Sequence, residues 1–182
     1  MEITDEVIIV DLEATCWEQD GAYQKRRSEI IEIGICKLDT YTGEISKSKG
    51  ILVKPVHSEI SRFCTQLTSI TPQMVEQDGV SLKEACSMIE ATYAPAGLTW
   101  CSYGAYDKRM LKEQCALFNV RYPLSGNHIN VKELFAEAKR LPKPIGMDRA
   151  LRLLNLPLEG THHRGVDDAR NIAKILYNIL ED

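Results

Sequence analysis

Long apolar runs are missing from this 182-residue sequence. The longest uninterrupted stretch, Val7-Ile8-Ile9-Val10, falls far short of the ~20 residues that span a bilayer. Acidic Glu2, Asp5 and Glu6 stand before it, where an export signal carries basic residues. Neither a membrane span nor a secretory leader is expected. An excess of positive charge is missing too. The 22 Lys and Arg are outnumbered by 26 Asp and Glu, for a formal net charge of −4, which argues against a protein that grips nucleic acid by a broad basic surface alone. The six cysteines (Cys16, Cys36, Cys64, Cys86, Cys101, Cys115) contain no Cys-x-x-Cys pair for zinc or redox work. Several lie in apolar segments, where a free thiol packs as a small core residue, and a cytoplasmic location is expected. Linkers, repeats and low-complexity tracts are also lacking, so residues 1–182 are expected to form one domain.

What is present reads as alternating strand and helix. Val7–Leu12 is short, β-branched and apolar, the pattern of a buried strand. Glu29–Leu38 and Ile45–Val53 follow as two more strands, joined by the turn Asp39-Thr40-Tyr41-Thr42-Gly43, and Pro55 ends that sheet segment. Ser81 with Glu84 three residues on forms a capping box ahead of a helical repeat at Leu82, Ala85, Cys86 and Ile89. Leu98–Tyr103 is a fourth strand, followed by a helix over about residues 105–118. A short strand near Ile129–Val131, a helix rich in Glu, Ala and Lys, another helix from Met147, and a last helix from Val166 to Leu180 complete the pass. This order predicts a mixed five-stranded α/β sheet with helices on both faces, and right-handed crossovers place the fourth strand beside the first.

The acidic residues fall at informative places in that frame. Asp11 and Glu13 end the first strand at positions i and i+2, so both leave the same face of the sheet. Asp107 lies where the fourth strand passes into its helix, and Asp167 and Asp168 open the last helix. Each of these three, taken singly, also suits a helix N-terminus. His162 and His163 sit in the loop just before. With strands one and four adjacent, Asp11, Glu13, Asp107 and Asp168 converge at one sheet edge, an arrangement that requires divalent cations.

This constellation resembles the DEDD superfamily of 3′–5′ exonucleases, in the subgroup with His in the third motif. Ile9-Val10-Asp11-Leu12-Glu13-Ala14-Thr15-Cys16 resembles the first motif and His163-Arg164-Gly165-Val166-Asp167-Asp168-Ala169-Arg170 the third. Ser28-Glu29-Ile30-Ile31-Glu32-Ile33-Gly34 and Phe63-Cys64-Thr65-Gln66-Leu67-Thr68-Ser69-Ile70 are similar to the ERI1-like, KapD-like branch. The second motif, Tyr103-Gly104-Ala105-Tyr106-Asp107, departs from the Trp-Gly-Asp-Tyr-Asp flavour of that group, with Ala105 at the altered position.

The resemblance implies an RNase H-like fold and hydrolysis of single-stranded nucleic acid from its 3′ end, with release of nucleoside 5′-monophosphates. RNA is expected over DNA. It implies two divalent ions, Mg²⁺ or Mn²⁺, held by Asp11, Glu13, Asp107 and Asp168. His163 is implied as the general base, ahead of His162, and Glu13 belongs to the same catalytic set. Asp167 is left a helix-start role. A substrate pocket is implied at Ala14, Thr15, Cys16 and Trp17 and around Leu67 and Thr68. Trp17, Phe63 and Tyr106 offer stacking surfaces, and ordinary packing is the competing reading for each. Among the basic groups, Lys25-Arg26-Arg27 and Lys108-Arg109 read as solvated surface, and Arg164 as a phosphate contact. With two divalent ions counted, the formal charge becomes neutral, so the acidity belongs largely to the metal site. The alternatives are a weakly active or inactive RNase H-like module that binds RNA or a protein, or an oligoribonuclease for very short chains. A His-Asp phosphohydrolase is disfavoured, because no His is followed directly by Asp.

Overall fold

The computed structural model describes residues 4–19 and 21–181. Glu2 and the side chain of Lys25 lie outside the described residues. Five strands form one sheet: β1 (Glu6–Ala14), β2 (Ile30–Asp39), β3 (Ile45–Leu52), β4 (Thr99–Ser102) and β5 (His128–Asn130). Their spatial order is β3-β2-β1-β4-β5, antiparallel across β3, β2 and β1 and parallel from β1 to β4 to β5. The expected neighbourhood of the first and fourth strands is thus observed. The helices described are α1 (Ala22–Arg27), α2 (Arg62–Thr68), α3 (Pro72–Asp78), α4 (Leu82–Tyr93), α5 (Tyr106–Leu117), α6 (Val131–Ala138), α7 (Met147–Leu153) and α8 (Gly165–Glu181).

Both faces of β1 are covered, which is why it reads as a continuous apolar run. Ile8 and Val10 pack with Leu82, Ile89, Leu111 and Cys115 beneath α4 and α5. On the opposite face, Val7 and Ile9 pack with Phe135, Leu151, Ile172 and Leu176 beneath α6, α7 and α8. The Ser81–Glu84 capping box forms as expected. All six cysteines are free and buried. No helix of the described residues is long and apolar enough to cross a membrane.

Two features of the sheet bring the acidic residues together at its polar edge. First, β1 pairs with β2 along its whole length, but with β4 only from Val7 to Ile9. Beyond Ile9 the two parallel strands part, and the polar end of β1 borders a fork. Second, α8 seats its first residue directly on β2. A Cβ built on Gly34 would stand 1.8 Å from the carbonyl carbon of Gly165, and one on Gly165 would meet the Gly34 nitrogen at 2.9 Å. Two glycines facing each other allow this backbone-to-backbone contact. It brings the start of α8 beside Asp11, which pairs with Gly34 across the sheet.

Candidate active site

The site is assembled from three elements. From the end of β1 come Asp11 and Glu13, from the first turn of α5 Asp107, and from the first turn of α8 Asp168. One carboxylate oxygen each from Asp11, Glu13 and Asp168 lie within 4.8 Å of one another. Asp107 fills the fork: its Oδ1 accepts the Leu12 N–H at 3.0 Å, in place of the strand that has turned away. The α5 N-terminus is not capped by a side chain, since Ala105 occupies that position and is exposed. The departure in the second motif therefore sits at a helix cap.

The charges are crowded and poorly hydrated. Burial, then repulsion from Asp107, Glu13, Asp168 and Glu32, holds the Asp11 carboxyl well above its usual range. Burial, with repulsion from Asp168, Glu32 and Asp107, pushes Glu13 up to about 8. Burial raises Asp107 to about 6 even though the Leu12 N–H opposes it. Like charges crowded this closely call for a compensating cation. Its donors are all hard carboxylate oxygens, which suit Mg²⁺ or Mn²⁺ better than zinc.

A pH dependence arises from these shifts. Glu13 loses its proton near 4.5 in the unfolded chain but only near 8 in the metal-free fold. Its contribution to stability is therefore complete below about 4.5 and lost as pH climbs towards about 8. The metal-free protein is expected to melt lower at about pH 8 than at about pH 5, with a Glu13 share on the order of 3 kcal/mol. Burial holds His163 below its usual pKa, which acts in the opposite sense, so the Glu13 share is read as the difference between wild type and Glu13→Gln. Mg²⁺ should remove most of the slope. Melting curves that Glu13→Gln leaves superimposable on wild type would refute this assignment.

His162 and His163 both border the cluster. The His163 N–H donates to Asp168 Oδ2 at 2.9 Å, while His162 Nδ1 lies 3.1 Å from the same oxygen. His163 has a φ of 63°, and its ring stacks on His162 with centroids 3.9 Å apart. Asp167 accepts the Thr161 N–H at 2.8 Å, so it ties down the loop that carries both rings.

The remaining expected residues divide into two groups. Phe63, Leu67 and Tyr106 are large apolar side chains left exposed, and the Arg109 guanidinium lies 5.9 Å from the Tyr106 ring centre. Burial raises the Tyr106 hydroxyl above its usual pKa, with Asp107 and Glu13 adding to the shift and Arg109 opposing it. Ala14 and Trp17 are half-buried. By contrast, the side chains of Thr15, Cys16 and Thr68 in the expected pocket segments are buried and turned to protein partners. Thr15 Oγ1 accepts the Glu29 N–H at 2.9 Å, Thr68 Oγ1 donates to the Cys64 carbonyl at 2.9 Å, and the Cys16 thiol contacts that of Cys64.

Arg164 has protein partners of its own. Its Nε and Nη2 donate to the carboxylate of Glu32 at 3.2 and 3.3 Å, and the Gly165 N–H adds a third bond at 2.8 Å. Glu32 is fully buried. The guanidinium and the Gly165 N–H together lock α8 to β2. Arg164→Ala leaves that carboxylate with the single Gly165 N–H. The Arg164 side chain is 23 % exposed, which admits some water and reduces the usual penalty for breaking a buried pair to about 2 kcal/mol. Chemical denaturation of the variant at constant metal concentration checks this.

Sequence reasoning missed Glu29 and Glu32. Glu29 accepts the backbone N–H groups of Val56, His57 and Ser58, so it anchors the segment leading into α2. The signal was available: Glu29 directly precedes and Glu32 interrupts a strand rich in isoleucine, and a buried acid must have partners.

With the geometry in hand, comparison places the chain among known proteins. The family described as Exonuclease (RNase_T) matches residues 8–176. Human 3'-5' exoribonuclease 1 is 30 % identical over 194 residues, which cover 98 % of this chain and 53 % of that protein. The chain thus spans about half the length of the curated relatives it matches. Among solved structures, the nuclease domain of 3'hExo, a DEDDh family member bound to rAMP, superimposes with a TM-score of 0.87 at 28 % identity. That match covers 98 % of this chain and 92 % of the other. A 3'-exonuclease described as recognising the histone mRNA stem-loop gives 0.87 at 27 % identity, covering 100 % and 84 %. The fold is RNase H-like, as expected.

Proposed function

Because the chain belongs to the RNase T exonuclease family, we propose that residues 1–182 work as a single 3′–5′ exonuclease domain that removes nucleoside 5′-monophosphates from single-stranded nucleic acid, with RNA favoured over DNA. One observation carries this reading: Asp11, Glu13 and Asp168 meet within 4.8 Å at a sheet edge, with Asp107 in the fork beside them. The RNA preference draws on relatives described as exoribonucleases and on the rAMP bound by a similar nuclease domain. The six unpaired thiols favour a reducing, cytoplasmic setting.

Asp11, Glu13, Asp107 and Asp168 are the residues that would hold two divalent ions, Mg²⁺ or Mn²⁺. Such ions activate water, neutralise the phosphoryl oxygens and stabilise the leaving 3′-oxygen. His163 takes the proton from the attacking water. Burial and the neighbouring His162 keep its imidazole below the usual pKa, hence neutral and able to accept. Phe63, Leu67, Tyr106 and Trp17 receive the terminal bases, with Ala14 in the adjoining wall.

His163→Ala should lower nucleotide release by about 10²–10⁴, the range of a lost general base. A wild-type rate would exclude that role. The function itself is tested with matched RNA and DNA oligonucleotides, single- and double-stranded, in Mg²⁺ or Mn²⁺. Release of 5′-monophosphates from single-stranded 3′ ends, faster from RNA, is the expected result. Equal or faster cleavage of DNA overturns the RNA preference, and no release from any substrate overturns the whole reading.

A further inference from the structure

We infer that His162, His163 and Asp168 form a distinct transition-metal site, selective for an ion of the Zn²⁺ class, which draws on Asp168 but otherwise uses donors outside the carboxylate set. One ligand atom from each of the three residues lies within 4.8 Å of the others. The His162 Nδ1 stands 3.1 and 3.2 Å from the two Asp168 oxygens. In a tetrahedral site with bonds of about 2.0–2.1 Å, neighbouring ligand atoms lie about 3.3 Å apart, so this pair is already at ligand spacing.

The rings are not brought together by chance rotamers alone. Consecutive side chains of an extended chain point to opposite sides. Here the left-handed backbone at His163 folds the chain, and the two imidazoles stack at 3.9 Å with planes 23° apart. The loop is pinned on both flanks, by Asp167 on the Thr161 N–H and by Asp168 on the His163 N–H. The donors are therefore held in place before any ion arrives. The His162 side chain is 40 % exposed, so an ion reaches the site from solvent, and a water completes four-coordination.

Donor chemistry sets the selectivity. Two imidazole nitrogens and one carboxylate suit Zn²⁺ and its neighbours in the transition series, whereas Mg²⁺ demands oxygen. An ion in this position engages His163 and Asp168 together. On the exonuclease reading, which this consequence rests on, it removes the general base and a metal ligand at once. Zn²⁺ thus acts as a reversible inhibitor that excess Mg²⁺ does not displace from the imidazoles.

The test uses the full chain in excess Mg²⁺. Zn²⁺ affinity is read by competition with a chromogenic chelator, and Co²⁺ serves as a visible probe of coordination. One Zn²⁺ per chain is expected, with the intense absorption of four-coordinate Co²⁺. His162→Asn and His163→Asn should each lower Zn²⁺ affinity by more than about tenfold, since losing a ligand costs at least as much as losing a group that orients one. Asp107→Asn, which depletes only the carboxylate set, should leave it unchanged. Zn²⁺ should also raise the melting temperature of the wild type, a readout that needs no variant. Equal Zn²⁺ affinity in wild type and both histidine variants overturns the site, as does a pale six-coordinate Co²⁺ spectrum or no thermal stabilisation. These measurements do not involve hydrolysis. A chain that binds Zn²⁺ through the histidines yet releases no nucleotide refutes the exonuclease reading and leaves the site standing. One that degrades RNA and is not inhibited by Zn²⁺ refutes the inhibitory role.

Discussion

Asp11→Asn is expected to abolish nucleotide release to within measurement, a loss of about a thousandfold or more, equivalent to about 4 kcal/mol of transition-state stabilisation. The substitution keeps the shape of the side chain and removes one negative charge. Asp11 is the acid on which all the others bear: Asp107, Glu13, Asp168 and Glu32 each raise its pKa. That same crowding gives the variant a second, opposite signature. Without metal, the charge at residue 11 is a burden on the fold, so Asp11→Asn should melt higher than the wild type at about pH 8, whereas Mg²⁺ stabilises the variant less. A variant that merely misfolds loses on both counts. Activity within tenfold of wild type in saturating Mg²⁺ would remove Asp11 from the proposed mechanism.

Gly34→Ala should be the most damaging single-methyl change in the sheet. The added Cβ falls 1.8 Å from the carbonyl carbon and 1.9 Å from the carbonyl oxygen of Gly165, and neither is the end of a flexible side chain. Overpacking a core commonly costs about 1–3 kcal/mol, and a collision between two backbones should exceed the upper end of that range. The first turn of α8 must withdraw, and Asp168 with it. A displacement of about 1 Å at a reacting centre can lower a rate about a hundredfold, so stability and activity should fall together. Gly126→Ala provides the control, since a Cβ there meets nothing within 4 Å. If Gly34→Ala melts like Gly126→Ala, the close approach of β2 and α8 does not govern the site.

The elements that could be read from sequence are those with a strong period or a clear cap. β1 and β2 appear as apolar strands because both faces are covered, α4 announces itself by Ser81 and Glu84, and α8 by its apolar stripe. The short helices α1, α2 and α3, at 6, 7 and 7 residues, were not anticipated. None is long enough to display a helical period. α2 and α3 are held by Ser61 and Thr71 caps and by a small cluster of Cys16, Ile31, Cys64, Ile70 and Val75. That cluster joins residues far apart in the chain and leaves no local pattern.

The candidate site divides in the same way. Asp11 and Glu13 were legible because the alternation of a strand fixes which face they leave, and Asp107 and Asp168 because each opens a helix. The protein partners of Arg164, Thr15 and Thr68 were not. A charged or hydroxyl side chain in a motif looks available for substrate until its partner is known, and here the partners are Glu32, Glu29 and Cys64. Spacing alone sets His162 behind His163. The contact of His162 with Asp168 depends on the backbone turn at His163, which spacing does not encode.

The fork between β1 and β4 makes Asp107 a stand-in for a missing strand. The Leu12 amide has its hydrogen bond not from a neighbouring ladder but from a carboxylate that burial holds near about 6. Solvent exchange at this one amide therefore reports whether α5 is docked and how Asp107 is charged. It gives a local gauge of site assembly, readable in the absence of substrate.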